Sequence, residues 1–169
     1  LNYFSKEQVV SPAIPMGRLL GWIDQLSFQR RAIDTGESYR GFSDPAPVQV
    51  LALEAKKFEL DVPWSVPLMA RARVYFQFLP HEDVSVVISE IKESFNSFCE
   101  SDPFFGTYKP EWKPLFDPPL LGHELALDHE WTKTLSNCAG RVIDPAPVVT
   151  AAEYPCDAFL NQKYFGMPT

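Results

Sequence analysis

Cysteine is scarce in this sequence. Cys99, Cys138 and Cys156 are the three present, widely spaced and odd in number. That pattern argues against a disulfide framework and against a Cys-rich zinc site, and it favours a reducing, cytoplasmic setting. Basic residues are also in short supply: 15 Lys and Arg stand against 22 Asp and Glu, a formal net charge of −7. Such a surface repels phosphate backbones, so no nucleic acid is expected as a partner. No apolar run approaches the roughly 18–20 residues that cross a bilayer, so no membrane partner is expected either. No signal peptide, internal repeat or low-complexity tract is visible. Histidine is limited to His81, His123 and His129, and none precedes residue 81.

What is present describes a globular chain. Hydrophobic residues make up 46% and charged residues 22% of 169 positions, which argues against disorder and fits one domain, or one small domain plus part of another. Proline is abundant and clustered at Pro45/Pro47, Pro63/Pro67, Pro110/Pro114/Pro118/Pro119 and Pro145/Pro147, marking connections between short elements.

Apolar positions Leu19, Leu20, Ile23, Leu26 and Ile33 recur at helical spacing, so residues 13–34 are expected to form a helix with one buried face. Pro15 and Gly17 fall near its start and Gly36 after its end. Residues 48–59 begin β-rich and turn polar, and 62–67 read as a turn. Residues 68–79 alternate, with Ala70, Ala72, Val74, Phe76 and Phe78 on one face and Arg71, Arg73, Tyr75, Gln77 and Leu79 on the other. The two strands are expected to pair as an antiparallel hairpin. Glu82 and Asp83 then open a second helix, where the helix dipole favours negative charge. Its buried stripe is Val84, Val87, Ile88, Ile91, Phe95 and Phe98.

The order helix, strand, strand, helix, followed by a short strand at Trp112 and preceded by a strand remnant in 2–10, matches a two-layer ferredoxin-like β-α-β-β-α-β arrangement. The tail differs. Asp128 is placed as the N-cap of a helix holding Trp131, Leu135 and Cys138, and Gly140 ends it. Residues 147–151 read as a short apolar strand, and the Cys156/Asp157 turn starts a last helix. The expected class is α+β, with a ferredoxin-like layer over 1–116 and an α-β-α segment of an α/β domain over 117–169. A start at Leu1 and a stop after Gly166-Met167-Pro168-Thr169, where a strand is due, read as an internal piece of a longer protein.

Several residue groups suggest chemistry. His123-Glu124 and Asp128-His129-Glu130 carry ligand types suited to zinc or manganese. Their histidines stand six apart, however, rather than the four that share a helical face, so capping and surface roles are preferred. Cys156 at a helix start is a possible nucleophile, but no histidine lies nearby in sequence to act as base. Arg71 and Arg73 share a strand face with Tyr75, and a solvated or dimer-contact face is preferred to an anion site. Phe95, Phe98, Phe104, Phe105, Tyr108 and Trp112 are expected to pack a core rather than form an exposed patch.

Four segments, in order, resemble one family. They are Pro67-Leu68-Met69-Ala70 running into Val74-Tyr75-Phe76-Gln77-Phe78-Leu79-Pro80; Ser101-Asp102-Pro103-Phe104-Phe105; Trp112 through Pro118-Pro119-Leu120 to Leu127-Asp128-His129; and Cys156-Asp157-Ala158 with Gly166-Met167-Pro168-Thr169. Together they look like the inner and C-terminal parts of the zinc-dependent amidohydrolases and metallopeptidases, the family of acetylornithine deacetylase, succinyl-diaminopimelate desuccinylase, aminoacylase-1 and carboxypeptidase G.

The resemblance implies a ferredoxin-like lid that dimerises, inserted into a metal-binding catalytic domain. It implies hydrolysis of N-acyl or peptide amide bonds of small amino-acid substrates by a metal-bound water, with a Glu as general base. The family's metal ligands and catalytic Glu map outside Leu1–Thr169, so this chain is expected to hold no metal and no catalytic residue, with zinc or another divalent metal bound by the parent enzyme. Cys156 and Asp157 are the substrate-side candidates that the resemblance implies. Gln77 departs from the Arg that many members carry near this strand end, and Gln cannot pair a carboxylate as a charged fork. The competing expectation is a non-catalytic ferredoxin-like protein-interaction module.

Overall fold

A computed structural model describes residues 11–56, 67, 69–152 and 156–168. The remnant strand of 2–10 and most of the 62–67 turn therefore lie outside the described residues. The elements are α1 (Ala13–Arg31), a 3₁₀ turn (Glu37–Tyr39), β1 (Val48–Lys56), β2 (Met69–Phe76), α2 (Val84–Ser101), α3 (Glu130–Ala139) and α4 (Ala158–Phe165). The class is mixed α+β. The chain forms two compact units, one from the described parts of Leu1–Ile33, Pro47–Gln77 and Ile88–Trp112, the other from Asp34–Ala46, Phe78–Val87 and Lys113–Thr169.

In the first unit β1 and β2 pair antiparallel, as the alternation predicts. The register runs Val48↔Phe76 and Val50↔Val74, then slips so that Ala52 faces Arg73 and Leu53 faces Ala72. Leu51 is the extra residue of this bulge. Side chains alternate across a strand, and one inserted residue resets the phase. The bulge therefore keeps Val48, Val50, Leu53 and Ala55 on one face with Ala70, Ala72, Val74 and Phe76. The other face is polar, with Gln49 opposite Tyr75 and Glu54 opposite Arg71.

Helix α1 covers one end of the apolar face. Arg30 lies 4.6 Å over the Phe76 ring and donates from Nη2 to the Gln77 carbonyl at 2.9 Å. Val48 is buried there, whereas Leu53 at the other end is 54% exposed. Pro15 lies in the first turn of α1, where the backbone N–H groups have no helical partner to lose. Arg30 and Arg31 close the helix, where the dipole favours positive charge. The buried positions of α1 are Pro15, Met16, Ile23, Ser27 and Arg30, so only Ile23 of the expected stripe is fully enclosed. The reason is that α1 serves two neighbours: Arg30 meets the sheet, while Trp22 turns toward α2.

The α1–α2 contact is aromatic. Trp22 meets Phe95 edge-on at 5.5 Å and stacks near Phe98 at 5.9 Å, and its Nε1 donates to Ser94 Oγ at 3.1 Å. Phe98 meets Phe105 at 5.5 Å, and Phe95 meets Trp112 at 5.9 Å. Such pairs contribute about 0.5–1.5 kcal/mol each beyond their burial. The buried residues of α2 are Ile91, Phe95 and Cys99, spaced four apart, with Phe98 beside them; Cys99 is the member the sequence reading omitted. Residues 109–114, expected to include a short strand at Trp112, form none. Trp112 instead uses its ring against Phe95.

Asp102 fixes the turn that delivers Phe105 to this core. Its Oδ1 accepts from the backbone N–H of Phe104 at 2.8 Å and of Phe105 at 3.2 Å, while its Oδ2 pairs with Arg18 Nε at 2.6 Å. Burial pushes this carboxyl upward, but the Arg18 hydrogen bond, the two N–H donors and the Arg18 charge outweigh it. Its pKa therefore lies below the ordinary 3.8.

In the second unit Asp83 opens α2, accepting on Oδ1 from Ser85 N–H at 2.9 Å and Val86 N–H at 3.3 Å. Glu82 folds back instead, accepting from Leu79 N–H at 2.7 Å. Leu79 is 1% exposed, although alternation put it on the wetter face; β2 has ended by then, and the period of two no longer governs it. Gly122 packs against this corner, where an added Cβ would sit 2.9 Å from Pro80 N.

Two measurements check these assignments. The Asp102 proton is held less tightly in the native state than in the unfolded chain, so its stabilisation is complete above pH 3.8 and is lost as pH falls through the lower native value. Urea midpoints of Asp102→Asn should be lower than those of the unsubstituted chain at neutral pH, with a smaller decline on acidification. Gly122→Ala should cost about 1–3 kcal/mol, since backbone rather than a movable side chain opposes the new methyl; an unchanged midpoint would place Gly122 elsewhere.

Candidate functional site

The sequence candidates fall in the second unit. Cys156 and Asp157 precede α4, and both are exposed. Asp157 occupies the N-cap position, but its side chain makes no cap hydrogen bond; only its carbonyl engages, accepting from Leu160 N–H at 2.9 Å. The Asp157 side chain thus leaves the start of α4 to backbone alone. Glu153, Tyr154 and Pro155 lie outside the described residues. At the other end of α4, Gly166 adopts φ +62°, the left-handed region that favours glycine, and its N–H bonds back to Gln162 O at 3.1 Å.

The His123–Glu130 segment is put to structural use. The N-cap of α3 is His129, not Asp128: its Nδ1 accepts from Trp131 N–H at 3.2 Å. The imidazole reaches this donor because His129 itself has extended backbone, φ −61° and ψ 144°. Gly140 ends α3 as expected. Glu124 accepts from Ser38 Oγ at 3.1 Å. Among the described residues, no three His, Cys, Asp or Glu side chains are grouped to hold a metal ion.

The segment 147–151, expected as a strand, has no strand assignment. A strand exists only with a hydrogen-bonded neighbour. The backbone bond of this stretch runs from Ala151 N–H to the Ser38 carbonyl at 2.9 Å. That contact brings Val148, Val149 and Thr150 opposite Ser38, Arg40 and Phe42. With Leu127 they wall an open cleft of about 480 Å³. Sequence reading missed this cleft because its walls lie more than a hundred residues apart. The one local signal was the left-handed Gly41, φ +101°, which turns the chain between Arg40 and Phe42. Neither Cys156 nor Asp157 lines it.

Arg71 and Arg73 are exposed on the polar sheet face. Arg71 Nε points to Met69 Sδ at 3.2 Å, and Glu54 is its cross-strand partner. Opposite charges so placed make a solvated ladder. Gln77 is occupied locally: Tyr75 Oη donates to its Oε1 at 3.1 Å, and its carbonyl receives Arg30. Burial pushes the Tyr75 phenol up from its ordinary 10.0. No helix among the described residues is long and apolar enough to cross a membrane.

No known protein family, curated protein or solved structure matches the chain.

The three thiols differ in a way that can be read directly. Cys99 is 1% exposed and burial pushes its pKa up, whereas Cys138 and Cys156 are exposed. A thiol reagent should label two cysteines quickly in the native chain and the third only on unfolding. Fast labelling of Cys99 would contradict the aromatic core drawn around it.

Proposed function

We propose that this chain is a pairing layer with a short return segment from a metal-dependent amidohydrolase, whose reactive groups are supplied by segments outside Leu1–Thr169. The observation that carries the reading is the α1–β1–β2–α2 unit. A helix covers part of one apolar sheet face, a second helix packs on the first through Trp22, and the sheet is two-stranded among the described residues. The order helix, strand, strand, helix supports the proposed reading as the inner portion of a ferredoxin-like β-α-β-β-α-β layer. The hydrolase assignment rests on the four residue motifs and their order.

The unit has the physical character of a self-associating surface. Val50 and Val74, each 39% exposed, and Leu53 continue the apolar face past the reach of α1. An exposed apolar face on a sheet that is two-stranded among the described residues favours continuation of the sheet by a second copy. The polar face, with its Glu54–Arg71 ladder, stays toward solvent. In the parent enzyme the dimer would hold the lid over a small acyl-amino-acid or peptide substrate, and Cys156 and Asp157 would stand on the substrate side of the return segment. Cytoplasmic residence is part of the same proposal, from the reduced cysteines.

A non-catalytic interaction module is the second reading, favoured by the same exposed apolar face taken alone. The two readings share the pairing surface and part on the host. A parent reading frame with His and Asp metal-ligand motifs upstream, and a His downstream of a Gly-rich turn, supports the hydrolase. A full-length frame lacking them supports the module.

Sedimentation of the chain should show a concentration-dependent dimer. Val50→Lys, which places a charge on the exposed apolar face, should weaken dimerisation at least tenfold, equivalent to about 1.4 kcal/mol. A monomer at high concentration for the unsubstituted chain would remove the pairing reading. Dialysed protein should carry no stoichiometric zinc; one tightly held zinc per chain would overturn the assignment of the metal ligands to outside segments.

A further inference from the structure

We draw no further inference here: the strongest candidate, the open cleft of the second unit walled by Ser38, Arg40, Phe42, Leu127 and Val149, has no buried side chain among its lining residues, so nothing in the structure shows what would occupy it.

Discussion

The carboxylate of Asp102 is the constraint on which the helical half of the first unit depends. One side chain does three jobs. It closes the turn after α2 by accepting from two successive backbone N–H groups, it ties that turn to α1 through Arg18, and it thereby sets Phe105 into the aromatic cluster. Arg18 adds to this by lying 5.9 Å from the centre of the Phe105 ring. The pairing is stable because the carboxylate is fully engaged. A buried charge lacking these donors would oppose folding rather than favour it. With Phe105 placed, Phe98 and Phe104 have their partners, and Trp22 can bridge α1 to α2.

The sheet is governed by a different constraint, the phase of β1. Val48, Val50 and Leu53 do not alternate, and a regular strand would send Leu53 to the polar face. The bulge at Leu51 absorbs the extra residue and returns Leu53 to the side of Ala72. One face of the hairpin is therefore apolar along its whole length while α1 covers only one end. The uncovered remainder is what makes a second copy a physically reasonable neighbour, and it links the local register to the proposed pairing role.

The second unit shows how residues with catalytic chemistry can be consumed by architecture. His129 caps a helix, Glu124 receives the Ser38 hydroxyl, Glu82 closes a turn and Asp83 caps α2. Each is a hydrogen bond that an orphan donor needs at a chain reversal. Cys156 and Asp157 stay on the surface, adjacent to a helix of eight residues.

Local pattern made the four long helices legible, along with the two strands and their antiparallel pairing, because periods of 3.6 and 2 are written in consecutive side chains. It also marked Gly140 and Gly166 as helix ends; at Gly166 the reason is local, because its φ of +62° is a conformation that favours glycine. Asp128 was misjudged as the cap by a single position: both Asp128 and His129 can accept, and the turn geometry selects between them. The strand expected at 147–151 did not form because a strand is a relation between segments and not a property of one. For the same reason the burial of Ser27 and Arg30 could not be read from α1 alone. The sequence by itself determined which segments are helical and which face of β2 is apolar. Only the tertiary structure decided which of those faces are covered, because burial and hydrogen-bond partners come from residues distant in the chain.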